Sequence, residues 1–263
     1  MGELPRLLLL HGFLSTSANW GPLRAALGTD ADCLALDLPG YGSTPAPRGD
    51  YTLAAVVDAL RPVVEREQPD YILGHSMGSI VALALAGAMP SAFKRVGLAG
   101  FPLFRDVEDG RDMVRRSRGR VVSTFLEHPE AAHIACLLLD RTRPVWLPAA
   151  RRMRPGEPDS VLAPKFHHRR AGHIGAQAGI VFCGRVEQLA REVHVPVVAL
   201  HGDCDRTASL RRARAIAGAN GWDLEVVPGA NHELVVEQPE VAARWVRERL
   251  FAPSADLMNS AAG

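Results

Sequence analysis

Lysine is almost missing from this 263-residue chain: Lys94 and Lys165 are the only two, and arginine supplies the rest of the 30 basic residues, set against 29 acids for a net charge of +1. A chain so balanced has no overall field to draw it to nucleic acid or to a membrane surface, so any electrostatic specialisation is local. Cysteine is also scarce: Cys33, Cys136, Cys183 and Cys204 lie far apart, without a CxxC pair, which excludes a disulfide framework and a thiolate zinc site and points to free thiols in a reducing compartment. Long apolar runs are absent. The longest near the start, Leu7–Leu10, is far shorter than the ~20 residues that span a bilayer, and neither a basic region nor a small-residue cleavage site flanks it. A cytoplasmic location is the expectation.

What is present is a succession of short apolar runs, Arg6–Leu10, Cys33–Leu36, Tyr71–Leu73, Arg95–Leu98, Val195–Leu200 and Leu224–Val227, separated by amphipathic stretches. Continuous apolar strands of this kind predict a parallel sheet covered by helices on both faces, an α/β fold of about six strands. Leu53, Val56, Val57, Leu60, Val63 and Val64 recur at helical spacing, with Pro62 expected to kink that helix. Ile80–Met89 is apolar all round and reads as a buried helix; Pro239 opens a last one with Val241, Ala242, Trp245, Val246 and Leu250 on one stripe. The strand pattern stops between residues 101 and 180. Residues 1–100 and 181–263 therefore read as one core, and 101–180 as a helical insertion; after Phe251 a tail without periodicity is expected to be mobile.

The chemistry is carried by Gly74-His75-Ser76-Met77-Gly78, directly after one strand and directly before the buried helix. A nucleophile on a sharp strand-to-helix turn needs small residues two before and two after it, because the backbones come close there. The helix start also aims free amides at the reaction centre, so the Met77 N–H is one candidate oxyanion donor. His11-Gly12-Phe13, ending the first strand, offers the Phe13 amide as a second, while the His11 side chain reads as a packed, hydrogen-bonded shaper of that loop. Phe13 and His75 are also expected to face substrate.

A serine hydroxyl needs a base. Of the ten histidines, His232 in Pro228-Gly229-Ala230-Asn231-His232 falls in a turn between the last strand and the last helix, where it can reach the elbow. The loop Gly202-Asp203-Cys204-Asp205 supplies two acids. Asp205 is assigned to orient the imidazole, and Asp203 to shape the turn. The order Ser76, Asp205, His232 is that of a hydrolase triad. His167-His168, being adjacent, diverge and do not suggest a metal site, and Cys204 has no base; neither a metal nor a cofactor is called for.

These pieces, together with Trp20, Asp37-Leu38-Pro39-Gly40-Tyr41-Gly42-Ser43 and Glu237-Gln238-Pro239-Glu240, resemble the α/β-hydrolase superfamily, specifically its small capped esterase-like, thioesterase-like and lyase-like members. The resemblance implies a helical cap over a Ser-His-Asp site, no cofactor, and a small-molecule acyl substrate cleaved as ester or thioester. Serine at the elbow sets the chain apart from the haloalkane dehalogenase and epoxide hydrolase branches, which attack through a carboxylate. The synthase of menaquinone biosynthesis that eliminates pyruvate is the alternative: it uses the same triad for proton abstraction, but an aromatic hydroxylated residue typically precedes its nucleophile where His75 stands here. Type II thioesterases commonly carry a Gly-His-Ser-Met-Gly elbow. A non-catalytic ligand-binding protein on the same fold is the third reading. From Phe101 to Arg170 there are fourteen Lys and Arg against nine Asp and Glu, so an anionic or carrier-linked substrate is the expectation at the cap.

Overall fold

The computed structural model describes residues 3–113, 115–116 and 127–252. Arg118 and Arg120 of the basic block, and the tail from residue 253, lie outside the described residues. Four successive leucines make β1 (Arg6–Leu10) the most buried strand of the amino-terminal half, each with 0% exposure. The remaining strands are β2 (Asp32–Leu36), β3 (Tyr71–His75), β4 (Arg95–Ala99), β5 (Val197–Gly202) and β6 (Asp223–Val227), in spatial order β2-β1-β3-β4-β5-β6 and parallel throughout. The six-stranded parallel sheet read from the sequence is the sheet observed.

Alternation along the strands divides the core. Leu8, Leu10, Ile72, Val96, Leu98, Val197 and Ala199 face α2 (Leu53–Glu67) and α3 (Met77–Ala88). Leu7, Leu9, Leu73, Ala99, Val198 and Leu200 face α1 (Gly21–Leu27) and the carboxyl-terminal helix with its buried Trp245. Burying such a side chain is worth about 1.5–3 kcal/mol, so these two layers fix which way the sheet faces.

Several sequence boundaries move by one to three residues. The ladder of β5 begins at Val197, not Val195, because Pro196 has no N–H to give it; its carbonyl instead accepts from Val96 N at 2.9 Å. The buried helix begins at Met77, as soon as the elbow ends, three residues before the apolar run suggested. Helix α2 runs through Pro62, the position of the expected kink, to Glu67; Pro62 and Asp58, the residue four before it whose carbonyl its ring leaves unpaired, both lie on the exposed side.

Between β4 and β5 the described residues form helices and turns, apart from one antiparallel bridge of Tyr41 with His168. They comprise helical residues 107–113, α4 (Pro129–Arg141), α5 (Arg143–Met153), short turns at Asp159–Leu162 and Ala163–Phe166, π-helical turns at Ala171–Gly175 and Gln177–Val181, and α6 (Val186–Glu192). After β5 come α7 (Leu210–Asn220), β6, and α8 (Pro239–Trp245), which continues to Leu250 as the apolar stripe predicted. All four cysteines are free.

Candidate active site

Parallel strands end at one edge of the sheet, and there the loops after β1, β3, β5 and β6 meet. Ser76 follows β3 with φ 51° and ψ −120°, a backbone conformation that non-glycine residues rarely hold. The turn fits because its neighbours lack side chains: a Cβ on Gly74 would strike the Gly78 backbone, and a Cβ on Gly78 the Leu10 backbone. Ser76 N donates to Ala99 O at 2.9 Å, and inside α3 the buried Ser79 hydroxyl donates to Gly74 O at 2.7 Å, which ties the helix start to the strand behind it.

His232, on the loop after β6, lies with Nε2 3.0 Å from Ser76 Oγ and Nδ1 2.8 Å from Asp205 Oδ2. Asp205 leaves Nδ1 as the donor, so Nε2 presents a lone pair to the serine hydroxyl. Asp205 is itself held by the amides of Thr207 and Ala208, which donate to Oδ1 at 2.7 and 2.9 Å. Burial alone would raise its carboxyl; the hydrogen bond and charge of His232, with the two amides, outweigh burial and hold it below the ordinary carboxylate range. The three residues assigned from the sequence are thus brought together in one hydrogen-bonded chain able to draw a proton from Ser76.

The other assigned residues lie around it. Met77 is the first residue of α3, with its side chain wholly buried. Phe13, Gly12, His75, Ser76 and His232 share a cavity of about 230 Å³, whose apolar wall includes Leu14, Pro102, Phe104, Val181 and Phe182. A Cβ on Gly12 would come within 3.1 Å of Ser76 Cβ, so the Phe13 loop runs directly beside the serine. His75 lines this cavity and donates from Nε2 to the His232 carbonyl at 2.8 Å, bracing the loop that carries the base; its burial keeps the ring neutral by lowering its pKa. His11 is the packed loop residue its position suggested. Leu38 N donates to its Nε2 at 3.0 Å, and Nδ1 donates to Gly12 O at 2.8 Å.

Asp203 stays away from His232 and accepts from Gly229 N at 2.7 Å, joining the loops after β5 and β6 and not merely shaping its own turn. Cys204 is exposed and its thiol is raised by the Asp203 carboxylate beside it, which does not suit a nucleophile.

Several residues escaped the sequence reading. His201, wholly buried, places Nε2 3.6 Å from Asp205 Oδ2 and backs the acid. Glu233 and Lys165 face the cavity, and Lys165 pairs with the buried Glu157. A second groove, of about 740 Å³, borders the other side of His232 and is lined by Arg154 and Arg206 together with Glu157 and Glu237, and Arg154 pairs with Glu157 at 2.6 Å. The other described arginines of the basic block contribute to neither space. Most pair with acids, including Arg143 with Asp140, Arg151 with Asp159 and Arg170 with Glu130. His167 and His168 do diverge: His167 turns to Asp140, and His168 turns inward onto His133 and His173.

Known proteins give the same architecture. Over 154 residues the chain is 30% identical to the probable lysophospholipase BODYGUARD 4 of Arabidopsis thaliana, a stretch covering 53% of this chain and 36% of that protein. The bifunctional biotin biosynthesis protein BioHC of Cellvibrio japonicus is 26% identical over 90% of this chain and 45% of its own length, so the chain spans well under two thirds of these curated relatives. The enol-lactonase from Burkholderia xenovorans LB400 superposes with a TM-score of 0.70 at 21% identity, covering 95% of this chain and 93% of that one, a likeness of fold alone. No helix among the described residues is long and apolar enough to cross a membrane. A sequence profile of the alpha/beta hydrolase family matches residues 7–245, nearly the whole chain: this protein belongs to the alpha/beta hydrolase family.

Proposed function

We propose that the chain is a serine hydrolase that cleaves a carboxylic ester or thioester through an acyl-enzyme. The observation that carries this reading is the unbroken chain from Ser76 Oγ through His232 to Asp205, at 3.0 and 2.8 Å, beside an apolar cavity. Ser76 Oγ attacks the substrate carbonyl carbon while His232 Nε2 takes the hydroxyl proton, and Asp205 stabilises the imidazolium. The amides of Phe13 and Met77 hold the oxyanion. As the tetrahedral intermediate collapses, the C–O or C–S bond breaks and the leaving group takes the proton from His232. Water then attacks the Ser76 ester by the same route, giving the acid and restoring the hydroxyl.

The helices between β4 and β5 act as a cap: Lys165, Val181 and Phe182 from this segment close the cavity over Ser76. At about 230 Å³ the cavity suits a small apolar acyl group. The leaving group departs past His232 into the groove, where Arg154 is held by Glu157 and the exposed Arg206 suits an anionic or carrier-linked alcohol or thiol. A relative named as a lysophospholipase agrees with ester chemistry.

The test is covalent labelling with a fluorophosphonate, alongside a panel of acyl esters and acyl thioesters. The expected result is label on Ser76 and a turnover loss of roughly 10³-fold or more in Ser76→Ala with the fold intact. Label on another residue, or near-normal turnover in Ser76→Ala, overturns the mechanism. Turnover of a substrate by elimination, without an acyl-enzyme burst, would replace it with proton abstraction by the same residues.

A further inference from the structure

Away from the serine, three histidines from distant parts of the chain converge. His133 belongs to α4, His168 forms the bridge with Tyr41, and His173 lies in the following π-helical turn. They are 6%, 6% and 3% exposed. Their ring centroids are 4.7 Å apart for His168 and His173, 5.5 Å for His133 and His168, and 5.7 Å for His133 and His173. One nitrogen from each ring can be chosen so that all three lie within 4.8 Å of one another.

Buried imidazole nitrogens ordinarily find partners, and each one left without costs about 1–3 kcal/mol. Here His133 Nδ1, both nitrogens of His168 and His173 Nδ1 are buried without a hydrogen-bond partner. Three rings turned on each other with their polar atoms unmatched make a poor apolar cluster and a good donor set. Burial and the neighbouring rings push His168 down to about 3; burial first, then His133, takes His173 to about 4. The rings therefore stay neutral and keep their lone pairs, the form in which histidine binds metals. On the solvent side Glu130, one turn before His133 on α4, pairs with Arg170, and its carboxylate acts electrostatically on both His133 and His173.

We propose that His133, His168 and His173 bind one divalent d-block cation, zinc above all, which clips α4 to the 168–173 segment. Three imidazoles suit zinc, cobalt, nickel or copper and not magnesium or calcium, which take oxygen ligands. At Zn–N distances of ~2.0–2.1 Å tetrahedral donors stand ~3.3 Å apart, so from separations of up to 4.8 Å they would close up by as much as ~1.5 Å, with water in the fourth position. The clip sits beside the cavity without entering it. His173 packs edge-on against the Phe13 ring at 5.5 Å, Tyr41 Oη donates to Gly172 O at 3.0 Å, and Arg169 N donates to Gly40 O at 2.8 Å. The cation thus holds the segment that backs Phe13, and takes no part in the chemistry proposed at Ser76.

Untagged full-length protein, stripped with a chelator and dialysed, is titrated with Co²⁺ and with Zn²⁺. The expected result is one bound equivalent of Co²⁺ with the visible ligand-field bands of a low-coordinate site. Zn²⁺ should displace it, and Mg²⁺ and Ca²⁺ should not. Zn²⁺ at about 100-fold over its Kd should also raise Tm by roughly 5–10 °C. His133→Phe and His168→Phe should lose the equivalent and the Tm response. The exposed neighbours His128 and His167, each changed to Phe, should keep both. Zinc-edge absorption of the wild type, which depends on no variant folding, should report three imidazole ligands. Absence of saturable binding with an unmoved Tm, binding that survives in folded His133→Phe and His168→Phe, or a zinc edge showing other ligands each overturns the proposal. Fluorophosphonate labelling of Ser76 is indifferent to all of these outcomes.

Discussion

Asp205 divides its two oxygens between tasks: Oδ1 is fixed by the amides of Thr207 and Ala208, and Oδ2 is left for His232. Asp205→Asn keeps the shape and, held by the same amides through its carbonyl oxygen, turns an NH₂ toward His232. The imidazole then has to present a lone pair at Nδ1 and a proton at Nε2, the wrong tautomer for a base. A fall in kcat of about 10⁴-fold is expected, with little change in Tm. Asp203→Asn leaves an amide oxygen in place to accept from Gly229 N, so its activity should stay near that of the wild type. Steady-state kinetics on the two variants decides the assignment, and a crippled Asp203→Asn beside an active Asp205→Asn would reverse it.

Elements are joined by polar contacts as much as by apolar layers. Asp109, in the helical residues 107–113 that follow β4, receives Arg212 of α7 and also Arg105, while Arg212 reaches the Leu103 carbonyl at 2.7 Å. The Arg212 hydrogen bond, chief among these, sets the Asp109 carboxyl far below the usual aspartate value. A carboxyl whose folded pKa is depressed contributes stability above its unfolded pKa of about 3.9 and loses it as pH falls through the folded value. Asp109→Asn should therefore be less stable than wild type at neutral pH in urea melts, and the gap should shrink as pH drops below about 4. A gap independent of pH would mean that the pair contributes through packing alone. Pro62 shows the opposite case: a residue that ends helices by rule is tolerated in α2 because it lies on the wet side.

Across the whole molecule, positive charge is abundant between residues 101 and 170 yet mostly neutralised by acids on neighbouring turns. Arg154 is among the paired ones, held by Glu157, so Arg206, lining the groove beside His232, is where a charged leaving group would be felt. Hydrolysis of an acyl thioester with an anionic arm should fall steeply with added salt, and that of a neutral ester of similar size should barely change. Arg206→Ala should flatten the salt response of the anionic substrate and raise its KM, leaving the neutral ester as it was. Equal salt slopes for the two substrates in the wild type would remove the groove from substrate recognition.

Features that depend on near neighbours were legible in the sequence. Four leucines in a row specify a buried strand, and Gly74 and Gly78 permit a turn whose strain is confined to five residues; these are matters of local sterics and burial. The order Ser76, Asp205, His232 could be read because each follows a strand, and parallel strands deliver their ends to one edge. Convergence of side chains from segments far apart was not legible. An arginine on the open surface and one lining a groove have the same local pattern, so the excess of charge pointed to the block and could not single out Arg154, which lines the groove while paired with Glu157. Lys165 and Glu233 meet at the cavity only because the helical segment folds back over it. His133, His168 and His173 have no ligand-like spacing; adjacency of His167 and His168 argued against a site, and it is tertiary folding that turns one of the pair outward and carries the other inward to two partners.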